Sequence, residues 1–189
     1  TFTITTGHQL CLFTGPLYFI YKIISTINLS EQLKKEYPEN NFVPIFWMAS
    51  EDHDFEEVNH INLFSEKYQW NSDENGMVGD FNTSEISKII SEISSILGDT
   101  ENANSIIDLL RSCYKDNSLS DATRLLVNEL FGKYGIVILD ANDKDLKKQL
   151  LPIIKRDVLH QELSPIISEN TSSFSENYKP QAIVRNVNF

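Results

Sequence analysis

The run from Phe42 to His60, FVPIFWMASEDHDFEEVNH, constrains this chain more than any other stretch. It opens with Phe42, Val43, Ile45, Phe46 and Trp47, an apolar run of strand character. It then passes into Ser50, Glu51, Asp52, His53 and Asp54, with Glu56, Glu57, Asn59 and His60 close behind. A buried strand ending in ionisable groups suits an open α/β sheet, where ligands sit in the crevice beyond the carboxyl ends of the strands.

Such a strand needs a parallel neighbour, and the residues before it supply one. Phe2–Thr6 is a short β-branched segment, expected to end at Gly7-His8-Gln9. A loop follows through Thr14-Gly15-Pro16, and Pro16 suits the first turn of a helix, where its missing N–H would be unpaired anyway. Leu17, Ile20, Ile24 and Ile27 recur at helical spacing and Leu29 and Leu33 continue the stripe, so a helix is predicted from Leu17 to about Glu36. Pro44 is awkward inside a central ladder, which places the regular part of the second strand from Ile45 onward. Strand, loop, helix, strand is a βαβ unit with a right-handed crossover. That topology brings His8 and Gln9 to the same sheet edge as Asp52 and His53.

The remainder reads as an insertion followed by a return to the sheet. Tyr68, Trp70, Gly76 and Gly79 suggest a hairpin between Asn62 and Phe81. Asn82 with Glu85 has the spacing of a capping box. Ile86, Ile89, Ile90, Ile93 and Leu97 form one helical stripe, and Ile106, Ile107 and Leu110 a second beyond Gly98. A helix from Ser120-Asp121 carries Leu125, Leu126 and Leu130. Ile136–Leu139 reads as another buried strand, followed by Asp140. Lys144 to Ser168 is helical, with Pro152 and Pro165 expected to kink or split it, and Glu169–Lys179 is loop-like. The expected fold is therefore α/β, a parallel sheet with a hairpin and helical insertion. Its parts are residues 1–64, an insertion over 65–116, and a return over 117–189. Thr1 and the apolar run from Gln181 to Phe189 read as cut ends, those of an internal piece of a longer protein.

Charge narrows the function. Sixteen Lys and Arg against 27 Asp and Glu give a net charge of −11, which repels a phosphate backbone and argues against a nucleic-acid partner. No apolar run approaches the roughly 18 residues of a membrane span, and no secretory signal pattern opens the chain. Cys11 and Cys113 form no CxxC pair, which fits two reduced thiols in a cytoplasmic protein.

Two segments can carry chemistry. Gly7-His8-Gln9 followed by Gly15-Pro16 is a strand–loop–helix entry whose backbone N–H groups would attract an anion, or an ordinary βα turn. It matches neither a Walker A loop nor GxGxxG. Glu51-Asp52-His53-Asp54 is either a solvated acidic loop with Asp54 capping a following helix, or a polar site. In the second case its carboxylates orient His53 or a substrate amine, and the histidine carries protons. Asp52, His53, Asp54, Glu57 and His60 are possible metal ligands, but HExxH and spaced cysteine pairs are absent and no metal is expected. There is no GxSxG elbow, and neither cysteine has a neighbouring histidine motif. Phe46 and Trp47 are expected in the core.

The same residues carry a resemblance. TTGHQLCLFTGPLYFIYK (Thr5–Lys22) and the organising run, supported by Tyr134–Asp140 and Ile183–Phe189, resemble the cysteine-adding enzymes of bacillithiol biosynthesis, the BshC family. The resemblance implies a Rossmann-like core akin to class I synthetases and nucleotidyltransferases, interrupted by a helical connecting peptide. It implies a cytoplasmic ligase that joins cysteine to glucosaminyl-malate as an amide, with ATP and magnesium. It also implies a homodimer through a coiled coil that this chain lacks. Carried onto this sequence, His8, Gln9, Asp52 and His53 would be catalytic, and Gly7, Gly15, Ser50, Glu51, Asp54 and Asn59 would bind substrate. Nothing here resembles the late lysine-rich loop of class I synthetases, so the chain alone would lack part of the site. A non-catalytic small-molecule or nucleotide-binding domain on the same fold is the alternative, and a metal-dependent hydrolase a third reading.

Overall fold

The computed structural model describes residues 1–181 and 183–187. Ala182, Asn188 and Phe189, and with them part of the terminal apolar run, lie outside the described residues. The chain forms two compact units, Thr1–Asn142 and Asp143–Phe189.

In the first unit, β1 (Phe2–His8), β2 (Phe42–Met48) and β5 (Val137–Asp140) form a parallel sheet in the order β1-β2-β5. Helix α1 (Leu17–Glu36) makes the crossover between the first two strands. This is the expected α/β arrangement with a parallel sheet. The paired β1–β2 register runs unbroken from Phe2↔Phe42 to His8↔Met48, so Gly7 and His8 extend the first strand rather than break it. Pro44 also belongs to its ladder, opposite Ile4. The physical reason lies on the other side: β5 pairs with β2 from Ile45 onward, so no β5 ladder is there for the missing N–H of Pro44 to interrupt.

One sheet face packs on α1. Phe46 and Met48 are fully buried, and Phe46 meets Phe19 edge-on at 5.1 Å. The buried stripe of α1 is Phe19, Ile23, Thr26, Ile27 and Ser30; of the expected stripe it includes Ile27, while Leu17, Ile24 and Leu29 stay exposed. Those three flank the buried face, Leu17 and Ile24 on one side of it and Leu29 on the other. Trp47 alternates away from Phe46 and is 42% exposed, so it is not a core residue. Nor is β5 fully buried, since Val137 is exposed.

The hairpin is β3 (His60–Leu63) with β4 (Glu66–Gln69). Its turn is Phe64-Ser65, both left-handed, with φ of 50° and 70°. The expectation drawn from Gly76 and Gly79 therefore placed it too late. Helices α3 (Ile86–Leu97), α4 (Glu101–Tyr114) and α5 (Leu119–Phe131) follow. The capping box does not form: Asn82 Oδ1 accepts from Ser84 N, and Glu85 pairs with Lys88. Thr100 and Ser118 cap α4 and α5 instead. The first unit's core joins these helices to the sheet through Trp70, Ile86, Ile90, Leu119 and Val127, all nearly inaccessible.

The second unit holds α6 (Lys144–His160) and α7 (Leu163–Ser175). Pro152 sits within α6 without splitting it. The break comes at Gln161, with φ of 53°, and the buried Asp157 carboxylate accepts from Leu163 N at 2.9 Å across it. Pro165 occupies the first turn of α7, where it costs no helical hydrogen bond. Helix α7 also takes in residues expected to be loop. Among the described residues no helix is long and apolar enough to cross a membrane.

Candidate functional site at the carboxyl edge of the sheet

Parallel pairing brings the ends of β1, β2 and β5 to one edge. His8 ends β1 opposite Met48, and Asp140 ends β5 opposite the same residue. Short loops then carry Gln9 on one strand and Ser50–Asp54 on the next.

Gln9 joins the two loops. Its side-chain nitrogen donates to Asp52 Oδ2 at 2.9 Å and to Glu57 Oε2 at 2.7 Å. Carboxylates only accept, so the orientation of the amide follows from the contacts themselves. The Gln9 amide, seconded by the Asp54 N–H at 3.0 Å, holds the Asp52 carboxyl below its usual range. Asp52 therefore stays ionised at neutral pH, with Glu57 beside the same nitrogen. Glu57 lies on the one-turn helix α2 (Phe55–Val58). The Asp54 side chain does not cap that helix; it lies 3.7 Å from His53 Nε2 at the surface.

His8 is half-buried between Phe19 and Tyr18, at 5.2 and 6.1 Å between ring centres. Burial, with Lys22 nearby, lowers its pKa, so the ring is neutral at neutral pH. Its Nδ1 lies 3.1 Å from the Gln9 carbonyl, which accepts only. Nδ1 thus carries the proton in that contact, and Nε2 keeps a lone pair. Cys11 Sγ also lies 3.7 Å from Nδ1. Sequence spacing gave no hint of this thiol–imidazole contact, because the turn that folds Cys11 back is irregular. Burial raises the Cys11 pKa, which keeps it a thiol.

The two loop glycines serve internal packing. A Cβ on Gly15 would lie 2.4 Å from Cys11 Cβ, and one on Gly7 would meet the Trp47 carbonyl oxygen at 3.3 Å. Neither glycine opens a cradle for a phosphate, so these residues do not by themselves fit ATP. Lys22, the cation beside His8, donates to the Gly7 carbonyl.

The other expected residues divide. Glu51, His53 and Asp54 are exposed along the loop. Ser50 is buried and gives its hydroxyl to Asp140. Asn59 is fully inaccessible, its Oδ1 3.2 Å from His60 Nδ1 and its carbonyl bonded to Trp70 N, so it offers no face to a substrate. The ligand atoms of Asp52, His53 and Asp54 lie within 4.8 Å of one another, an arrangement exposed acidic loops commonly adopt without an ion. Asp140 and Arg124 were not expected at this edge; their signal was the polar residue closing the strand at 137–140. A cleft of about 400 Å³ lined by Ser87, Ile90, Arg111 and Tyr114 lies between α3 and α4. It lacks the convergence of carboxylates and imidazole that marks the sheet edge as the candidate.

Comparison with known proteins bears on this arrangement. The family described as bacillithiol biosynthesis BshC, N-terminal Rossmann-like domain, matches residues 1–189. The chain is 50% identical over 189 residues to a protein of Flavobacterium psychrophilum named "Putative cysteine ligase BshC", covering 100% of this chain and 35% of the relative. A protein of the same name from Flavobacterium johnsoniae is 48% identical over 100% of this chain and 36% of its own length. One from Staphylococcus saprophyticus is 31% identical over 82% of this chain and 31% of its own length. The chain thus spans about a third of the length of these curated relatives.

Proposed function

Because this chain belongs to the bacillithiol biosynthesis BshC family, matching its N-terminal Rossmann-like domain, we propose that it supplies the amine-binding edge of a cysteine ligase. The reaction joins the carboxyl group of cysteine to the amine of glucosaminyl-malate: the amide C–N bond forms as a carboxyl C–O bond breaks, the oxygen leaving with the group that activates it. The observation that carries this reading is the Gln9 amide shared between Asp52 and Glu57. Two carboxyl groups held at one point by a neutral donor, with Asp52 kept ionised, attract an ammonium group and fix where it sits.

An ammonium group must lose a proton before its nitrogen can attack a carboxyl carbon. Two imidazoles stand at this edge to accept it. His8 presents a lone pair at Nε2 when Nδ1 donates to Gln9, and its lowered pKa favours the neutral ring. His53 lies exposed beside Asp54. ATP with magnesium is the activating cofactor that the family resemblance implies, and its phosphates would need residues other than Gly7 and Gly15 to hold them.

The test is product formation by the full-length protein with cysteine, glucosaminyl-malate and ATP-magnesium, followed by mass spectrometry. Asp52→Asn is expected to cost about 10-fold or more in kcat/KM for the amine, the scale of a lost charge-assisted contact. Binding of cysteine or the amine without product would favour a non-catalytic binding domain. Product with an unimpaired Asp52→Asn variant would remove the acidic loop from the site.

A further inference from the structure

We infer that Asp140, at the end of β5, is a positioning residue that holds the acidic loop in register with Gln9. This rests on the amine-site reading above and assigns it a support that lies on neither loop.

The loop is a turn from Ala49 to Asp52, and its own closure is weak: Asp52 N reaches Ala49 O at 3.4 Å. Contacts from two outside segments hold it. Ser50 Oγ donates to Asp140 Oδ1, and Asn142 N donates to that same Oδ1 at 2.9 Å and to Ser50 Oγ at 3.2 Å. Gly79 N donates to Ser50 O at 3.0 Å, and Val78 N to Asp52 O at 2.8 Å. Ser50 is 1% exposed, so its hydroxyl has no water to fall back on, and the Asp140 carboxylate becomes its acceptor.

Asp140 is fixed in its turn. Its backbone pairs with Met48 in the β2–β5 ladder. Arg124, on α5, donates to its Oδ2 at 3.3 Å. One carboxylate therefore ties the third strand and α5 to the loop that carries Asp52. The opposite wall leaves no slack. A Cβ on Gly79 would stand 2.7 Å from both Ser50 Cβ and Ser50 O, and 2.4 Å from Ser120 Oγ. With Ser50 wedged between Gly79 and Asp140, the position of Asp52 two residues later follows from the fold and not from contact with a ligand. A site whose geometry is set before binding loses less on binding.

A positioning role differs from a structural one in what it changes. Removing Asp140 should loosen the amine site before it touches the chemistry, raising KM for the amine while sparing kcat. The experiment uses the full-length protein with cysteine, glucosaminyl-malate and ATP-magnesium, comparing Asp140→Ala, Asp140→Asn, Ser50→Ala and the Asp140→Ala/Ser50→Ala double variant, with Asp52→Asn as reference. The expected result is a rise in KM for glucosaminyl-malate of about fivefold or more in Asp140→Ala and Ser50→Ala, with kcat within about twofold. The double variant should be no worse than the worse single, because both act through one contact. Asp140→Asn, which keeps an acceptor oxygen for Ser50, should recover most of the loss. If Asp140→Ala does not fold, Ser50→Ala alone carries the test. An unchanged KM in a folded Asp140→Ala or Ser50→Ala variant, or additive losses in the double, with Asp52→Asn impaired, overturns the inference and leaves the amine site standing. Wild-type behaviour of Asp52→Asn as well overturns both.

Discussion

Gln9 donates to Asp52 Oδ2 at 2.9 Å, linking residues 43 positions apart in sequence. The bond leads the causes that hold the Asp52 carboxyl below its ordinary range. In Gln9→Leu that carboxyl should rise toward the usual aspartate value of about 3.9, read by carboxyl-carbon NMR titration. The sign for stability follows. A depressed folded pKa stabilises the fold above the unfolded value, and that contribution is lost as pH falls through the folded one. Below about pH 4 the wild type should therefore lose more stability on acidification than Gln9→Leu does.

His8 shifts the same way by a different cause. Burial disfavours its charged form, so the neutral ring favours folding above the unfolded pKa of about 6.5, and that advantage is lost as pH falls through the folded value. The expected outcome is a wild-type urea midpoint that drops between pH 7.5 and pH 5.5 by more than that of His8→Gln. An equal drop in both would show that another group governs this window.

Gly79→Ala tests the tight wall behind the acidic loop. The added methyl meets Ser120 Oγ, Ser50 Cβ and Ser50 O at 2.4 to 2.7 Å. Overpacking of this kind costs about 1–3 kcal/mol. Ser120→Ala should restore part of that in the double variant, since it removes the hydroxyl but leaves Ser50 in place. Thermal denaturation of the four species measures it.

Tyr114→Phe tests how α4 supports the β1 loop. The Tyr114 hydroxyl accepts from Phe13 N at 3.0 Å, and the rings meet edge-on at 5.0 Å. Phe13 has a φ of 51°, a costly conformation for an aromatic residue that outside contacts must hold. Losing the acceptor should cost about 1–2 kcal/mol in chemical denaturation, with the ring contact kept.

Much of this was legible in the sequence where local pattern and tertiary packing agree. The βαβ unit followed from an apolar run, a helical period and a second apolar run, and pairing of its strands brought His8 and Gln9 to the edge that carries Asp52. What could not be read depended on neighbours distant in sequence. The buried stripe of α1 keeps Ile27 from the expected pattern but centres on Phe19 and Ile23, with Phe19 packed on Phe46 of the sheet and Leu17 and Leu29 left exposed to either side. The turn of the β3–β4 hairpin uses Phe64 and Ser65 where glycine would have announced it. Ser50 and Asn59 looked like site residues by chemistry, and burial made both of them scaffold. Asp140 went unassigned because its partner Ser50 is 90 positions away.

The strand order has a kinetic corollary. From Ile45 onward β2 is bonded on both sides, while among the described residues β1 is bonded to β2 alone. His8 and Gln9 thus hang from a margin of the sheet, whereas Asp52 follows its centre. Local fraying would release the amide and the imidazole while the carboxylates stay put. Amide deuteration should then reach Thr3–His8 before Phe46–Met48, and the Gln9–Asp52 bond serves as a latch between a firm half and a yielding one.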